Sequence, residues 1–408
     1  MDFNDTAVQA EFRAEVQEWL AANAQRKQAG EPGKMALSDE AKLADAKQWQ
    51  GKKAAAGWGA IAWPKVLGGR GGTPMEQVIW RQEVAQYDEL DDFFTIGLGM
   101  CAPALMAFAS NEQKAQYLPR LASGQDVWCQ LFSEPSAGSD IAALRTTAKR
   151  DGDKWRINGQ KVWTSGAHFA DYGIVLCRTD PTVPKHKGLT LFFIDMKQPG
   201  VDARPIKQAD GGGHFSEVFF NDAVVSDDQV LGEIGGGWKG CLTVLMNERL
   251  AVGNAQPTGF ARFHELSKSL QINGKPAIDD GMVRSHMADW YVRYAGLKHT
   301  NNRILTALSK GAMPGPEGSI AKLVAAPMNQ AINRYAVQLL GQAGVITDPT
   351  LARMQAHYQK EFLFSPGVRL AGGTDEVLRN IIAEQVLQMP QESREDKTVP
   401  FNELPTGL

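Results

Sequence analysis

The chain has 408 residues, 43% of them hydrophobic and 22% charged, with a formal net charge of −3. Those are ordinary globular values for two or three domains, and the near-neutral balance gives no reason to expect nucleic acid or an anionic membrane as partner. Cys101, Cys129, Cys177 and Cys241 are widely spaced without a CxxC pair, so neither a zinc site nor a disulfide framework is expected, and no metal is assigned.

The opening MDFNDTAVQAEF is acidic and lacks the apolar stretch of a signal peptide. No apolar run approaches the roughly 20 residues needed to cross a bilayer, so membrane insertion is not expected and the cytoplasm is. The first third reads as helix. Phe12, Val16, Trp19 and Leu20 recur at helical spacing, and Gln77 to Tyr87 runs without Gly or Pro. Between them, Trp63-Pro64 to Gly72 is a Gly-rich loop. From about Val127 to Leu231 the pattern turns to β. Trp155-Arg156-Ile157 and Lys161-Val162-Trp163 flank Asn158-Gly159-Gln160, a hairpin signal because Asn-Gly accepts positive φ. Gly173 to Arg178, Leu189 to Asp195 and Glu217 to Phe220 are further strand-like runs. After Gly235-Gly236-Gly237-Trp238 the chain becomes helical again.

The expectation is an α+β multi-domain chain. A helical domain (1–126) precedes a central β-barrel or sandwich domain (127–238), and a helical bundle (239–408) follows. The clusters Gly68 to Gly72, Gly211 to Gly213 and Gly235 to Gly237 lack GxGxxG between a strand and a helix, which argues against a dinucleotide-binding βαβ fold.

The most informative stretch is Ser133-Glu134-Pro135-Ser136-Ala137-Gly138-Ser139-Asp140. Such a loop brings backbone N–H groups and hydroxyls to a flat polar ring or a pyrophosphate, although the same residues dominate ordinary turns. Trp163-Thr164-Ser165-Gly166 and Ala371-Gly372-Gly373-Thr374 follow it in order. Together with Trp63-Pro64, Leu231-Gly232-Glu233, Gly237-Trp238 and Gly373-Thr374-Asp375-Glu376, these runs resemble the acyl-CoA dehydrogenase family over essentially the whole chain.

The resemblance implies FAD between the β-domain and the C-terminal helices, with an acyl-CoA thioester against the flavin. The substrate loses its α-proton to a glutamate and its β-hydrogen, as hydride, to flavin N5. Carried over by position, Gln130, Phe132 and Ser133 line the pyrimidine side, Gly138 and Ser139 approach the pyrophosphate, and Trp163 packs on the ring face. Thr164 accompanies it, and the Ser165 hydroxyl reaches N5. Thr374 and Glu376 open a helix beside the cofactor, where a plain N-cap is the structural alternative. Ser139, Arg249 and Gly373 fall on the substrate side.

Many members place the catalytic glutamate immediately before Gly-Thr, where this chain has Gly372. A smaller set places it on a C-terminal-domain helix just before an arginine, and Glu248-Arg249 stands there. Cys241, Leu245, Glu248 and Val252 share one helical face, and a carboxylate on an apolar stripe has a pKa raised toward neutrality, as a general base for a weakly acidic C–H requires. A surface glutamate paired with a cation is the alternative. Gly372 retains the N–H that in the family binds the thioester oxygen.

In family members a neighbouring subunit completes each FAD site with an Arg, a Phe and a Gln. Those places hold Leu270, Asn273 and Gly281 here, whereas Gln338 and Gly341 match another segment that the neighbour offers. Two explanations stand: an α2β2 heterotetramer with a paralog that supplies the arginine, or a homotetramer in which a local insertion lets Lys268 or Arg262 serve instead. The expected partners are an acyl-CoA and an electron-transfer flavoprotein. A flavin oxidase or monooxygenase on the same fold, and a catalytically decayed subunit, are the alternative functions.

Overall fold

The computed structural model describes residues 5–27, 38–88, 92–252, 259–310 and 315–405. They pack as two units, one of residues 5–208, 213–251 and 392 onward, the other of 209–212 and 252–391.

The first unit begins with six helices: α1 (Ala7–Asn23), α2 (Asp39–Ala55), α3 (Pro74–Val84), α4 (Asp92–Ile96), α5 (Ala102–Phe108) and α6 (Asn111–Ala122). Three of them start on reciprocal capping boxes, Thr6 with Gln9, Thr73 with Glu76 and Ser110 with Gln113. Each box satisfies two donors that a helix start otherwise leaves orphaned. The apolar stripe of α1 buries Phe12, Val16 and Leu20 against Trp49, Trp58, Ile79 and Trp80. Trp58 and Trp80 stack at 5.1 Å, and the Arg70 guanidinium sits 4.2 Å from the Trp58 ring. The Gly-rich segment is folded back on itself around a one-turn 3-10 helix, Lys65–Leu67. The Gly72 N–H donates to the Ile61 carbonyl at 2.8 Å, and a Cβ at Gly69 would lie 2.3 Å from the Trp63 carbonyl oxygen.

The strands are β1 (Trp128–Leu131), β2 (Thr147–Asp151), β3 (Lys154–Ser165), β4 (Tyr172–Arg178), β5 (Leu189–Asp195), β6 (Val201–Pro205) and β7 (Phe215–Ser226). They form one seven-stranded sheet in the order β1-β4-β2-β3-β7-β6, with β5 on the other partner side of β4. The sheet is a curled half-barrel. Ile174 and Leu176 of β4 face the helices, while Val175 and Cys177 face an inner core with Trp155, Ile157, Phe192 and Val218. Burial on both faces explains why β4 and β5 read as continuous apolar runs and not as alternating ones.

One expectation fails here. Asn158-Gly159 is not a hairpin turn; β3 runs through it, and β2 joins β3 across Gly152-Asp153. Two bonds anchor Asn158 across the sheet to Asp222, with Nδ2 donating to Oδ1 at 2.9 Å and the Asp222 N–H returning to the amide oxygen at 3.0 Å. The register against β7 shifts between Ile157 and Gly159, so the positive φ that Gly159 provides (+148°) serves a β-bulge.

The helix α7 (Gly237–Val252) follows, with Cys241 and Val244 buried against the helix-facing core. The C-terminal tail docks on the first unit's own sheet. The Phe401 N–H donates to the Val183 carbonyl at 3.0 Å, and the Phe401 ring lies 3.7 Å from the buried Arg178 guanidinium.

The second unit holds α8 (Gly259–Ser269), a two-stranded hairpin of β8 (Gln271–Ile272) and β9 (Lys275–Pro276), α9 (Gly281–Ser309), α10 (Gly318–Leu339), α11 (His357–Val368) and α12 (Asp375–Ile381). On α9, Val283, Met287, Trp290, Tyr294 and Leu297 alternate at spacings of four and three, so one stripe meets Phe263, Met328, Ile332 and Ala336. No helix among the described residues is long and apolar enough to cross a membrane.

Candidate active site

The 133–140 loop leaves β1 as a narrow turn closed by reciprocal bonds, Glu134 N–H to the Ala137 carbonyl at 2.9 Å and Ala137 N–H to the Glu134 carbonyl at 3.1 Å. A buried ion pair holds it from behind. Lys161 on β3 and Glu134 meet at 2.9 Å with side chains 0% and 4% exposed. Lys161 Nζ also donates to the Phe132 carbonyl at 3.0 Å, and the Glu134 carboxylate accepts from the Arg145 and Thr146 N–H groups at 2.6 and 2.9 Å. Burial alone would raise the Glu134 carboxyl, but Lys161 and the two amides outweigh it and hold the group below its ordinary value. The Val162 N–H closes the clamp on the Ser133 carbonyl at 2.9 Å. Sequence reasoning quoted both residues and assigned neither. The signal was available: Lys161 shares a strand face with Trp155 and Ile157, and a lysine on a buried face requires a carboxylate.

The clamp leaves donors free on the outer side. The N–H groups of Ser133, Gly138 and Ser139 have no acceptor among the described residues, Ser139 is exposed, and space is open where a Gly138 Cβ would stand. A turn with unpaired amides is suited to an anion. Phe132 is buried at 2% exposure and contributes its backbone, and Gln130 is half-buried on β1.

Further along β3 the register slips again between Lys161 and Thr164, and Trp163 takes φ +61°. The bulge turns the indole outward: it is 59% exposed, with Phe215 edge-on at 6.1 Å. Trp163 is therefore no core residue, and a large apolar ring face is available to a planar ligand. Thr164 is 2% exposed and its hydroxyl has no partner among the described residues. Ser165 is half-buried at the strand end. His168 Nδ1 lies 3.0 Å from Ser216 Oγ, and burial lowers its pKa. The open amides and the exposed indole fit a flavin dinucleotide.

The positions 248 and 249 lie on α7 near its C-terminal end, and helical periodicity puts position 248 on the stripe of Cys241 and Leu245. The side chains of Glu248 and Arg249 lie outside the described residues.

In the second unit, α11 and α12 are joined by the Gly-Gly-Thr turn. Gly372 and Gly373 have φ of +64° and +94°, the left-handed region that favours glycine. Thr374 caps α12, its hydroxyl accepting from the Val377 N–H at 3.2 Å. Glu376 is exposed and 3.8 Å from Arg379. Gln338, at the end of α10, lines a pocket of about 300 Å³ with His286, Trp290, Arg293, Arg334 and Tyr335. Gly341 follows at φ +55°. In the β8–β9 hairpin, Asn273 and Gly274 form the turn with φ of +52° and +76°. Leu270 ends α8, and Gly281 opens α9.

A helical domain, a curled sheet with a ring face and free amides at its rim, and a helical bundle define a flavin-binding dehydrogenase architecture. Residues 6–125, 129–223 and 235–387 match the N-terminal, middle and C-terminal domains of acyl-CoA dehydrogenase. The acyl-CoA dehydrogenase IpdE1 of Mycobacterium tuberculosis (strain ATCC 25618 / H37Rv) is 36% identical over 391 residues, covering 94% of this chain and 98% of its own. The solved structure "Tcur3481-Tcur3483 steroid ACAD" superposes with a TM-score of 0.80 at 27% identity, covering 96% of this chain and 100% of that one. The "ChsE4-ChsE5 complex from Mycobacterium tuberculosis" gives 0.78 at 28%, with coverage of 96% and 100%. The chain belongs to the acyl-CoA dehydrogenase family. It is an FAD-dependent enzyme of acyl-CoA dehydrogenation.

Proposed function

We propose that this chain is the base-bearing subunit of a heteromeric acyl-CoA dehydrogenase that converts a bulky acyl-CoA of the steroid-derived class to its 2,3-enoyl thioester. In this reading the Glu248 carboxylate removes the α-proton. The Gly372 N–H donates to the thioester oxygen and stabilises enolate charge as it develops. Bound FAD supplies acceptance of the β-hydrogen as hydride at N5. Ser133, Gly138, Ser139, Trp163, Thr164 and Ser165 would hold it on the sheet side, and an electron-transfer flavoprotein in the cytoplasm would be the electron acceptor. Arg249 orients Glu248 or meets the CoA arm.

The observation that carries the heteromer is the 270–281 segment. Its hairpin is tight and regular, yet Leu270, Asn273 and Gly281 put no cation and no aromatic ring at the three places, and Leu270 packs partly against the bundle core. The two stand-ins are engaged nearby: Lys268 pairs with Glu265 at 3.0 Å, and Arg262 Nη1 donates to the His357 ring at 2.9 Å. A pyrophosphate needs a counter-charge, and a forked guanidinium is the usual one. The Tcur3481-Tcur3483 and ChsE4-ChsE5 structures each name two gene products, which supports the two-chain form, and the first is named a steroid ACAD, which supports the substrate class. The experiment is purification with and without a co-expressed paralogous acyl-CoA dehydrogenase, followed by a panel of acyl-CoA thioesters scored for flavin bleaching. Full flavin loading and bleaching by steroid-side-chain thioesters are expected only with the paralog. A stable homotetramer with one FAD per chain overturns the heteromer.

A further inference from the structure

The Gly-Gly-Thr turn has a fixed back and an open front. Its ends are anchored: Arg369 Nε donates to the buried Asp375 carboxylate at 2.8 Å, Arg369 Nη1 reaches Gln330 on α10 at 3.1 Å, and the Ala371 N–H returns to the Gly367 carbonyl at 2.9 Å. Its middle is held by one side chain, Lys322 of α10, whose Nζ donates to the carbonyls of both Ala371 and Gly373. Neither the Gly372 nor the Gly373 N–H has an acceptor among the described residues.

A trans peptide points its C=O and its N–H to opposite sides. The peptide that ends in the Ala371 carbonyl is the one that begins with the Gly372 N–H. Drawing that oxygen to Lys322 therefore turns the Gly372 N–H away from Lys322, to the front of the turn. The same holds for the Gly373 carbonyl and the Thr374 N–H. Nothing in the local chain enforces this, because consecutive glycines adopt either sign of φ and let a peptide plane flip.

We infer that Lys322 is a positioning residue, which by binding the Ala371 and Gly373 carbonyls locks the orientation of the Gly372 N–H toward the thioester oxygen. The inference rests on the reading of Gly372 as the oxyanion donor.

The test uses the FAD-loaded holoenzyme with any co-purifying partner and 3-phenylacrylyl-CoA, a conjugated enoyl thioester whose absorption moves to longer wavelength when its carbonyl accepts hydrogen bonds. Wild type is expected to red-shift the probe. Lys322→Met and Lys322→Gln are expected to keep flavin and bind the probe but lose most of the shift, with kcat lowered about 10- to 100-fold, somewhat less than outright loss of an oxyanion donor. Lys322→Arg, which keeps the donors, retains the shift. An undiminished shift in the Met and Gln variants overturns the inference. Loss of flavin in both, unrelieved in the Arg variant, also overturns it by marking a scaffold role. A wild type that shifts nothing places the failure in the thioester-site reading, and the inference falls with it.

Discussion

Lys161 and Glu134 show how one residue pair decides whether a loop can serve a cofactor. Neither touches the open side of the 133–140 turn, yet together they fix the Phe132 carbonyl and the loop entry against β3. Removing one member leaves an uncompensated buried charge, which costs about 3–5 kcal/mol. Lys161→Met is therefore expected to lower stability by that amount at pH 7 in urea denaturation and to release flavin. The pH dependence carries a sign. In the wild type the carboxyl is held below its ordinary value, so its contribution is present above about pH 4.5 and is lost as pH falls through the lowered value. In the variant Lys161 no longer offsets burial and only the two amide donors oppose it, so the carboxyl is expected to rise and stability to be lost as pH rises through the raised value. The deficit should shrink when both proteins are compared near pH 4.5; an equal deficit at both pH values would mean that Glu134 is not the buried charge at issue.

At the scale of elements, strand β3 separates what local pattern encodes from what it does not. The helices were legible because each writes its own signal, such as Phe12, Val16 and Leu20 on one face of α1, and an N-cap at Thr374. The glycine-rich 133–140 turn and the Trp-Thr-Ser run were legible because special backbone conformations demand special residues. Asn158-Gly159 misled because positive φ serves a bulge as well as a hairpin. What distinguishes the two is Asp222, 64 residues away on β7. Lys322 and the docked Phe401 escaped notice for the same reason: their partners are remote in sequence. The bulge makes its own prediction. A Cβ at Gly159 would stand 2.5 Å from Thr146 Oγ1 and 2.7 Å from its Cα. Gly159→Ala is expected to lower the thermal midpoint by several degrees, equivalent to more than ~1 kcal/mol. An unchanged midpoint would show that the bulge relaxes freely.

At the scale of the whole molecule, chemistry is divided among segments far apart in the chain. The first unit carries the 133–140 turn, the indole face and the α7 position of Glu248; the second carries the Gly-Gly-Thr turn and the β8–β9 hairpin, with Leu270, Asn273 and Gly281 in and beside it. A decayed subunit would not retain clamp, indole and open amides together. The reading stands or falls on the base, since Gly372 has no side chain to take the proton. The most direct measurement is rapid mixing of Glu248→Gln holoenzyme, with its partner chain, against an acyl-CoA that bleaches the wild-type flavin. The account predicts normal flavin content, normal thioester binding and loss of bleaching. Bleaching at the wild-type rate would contradict it and require another group to remove the proton.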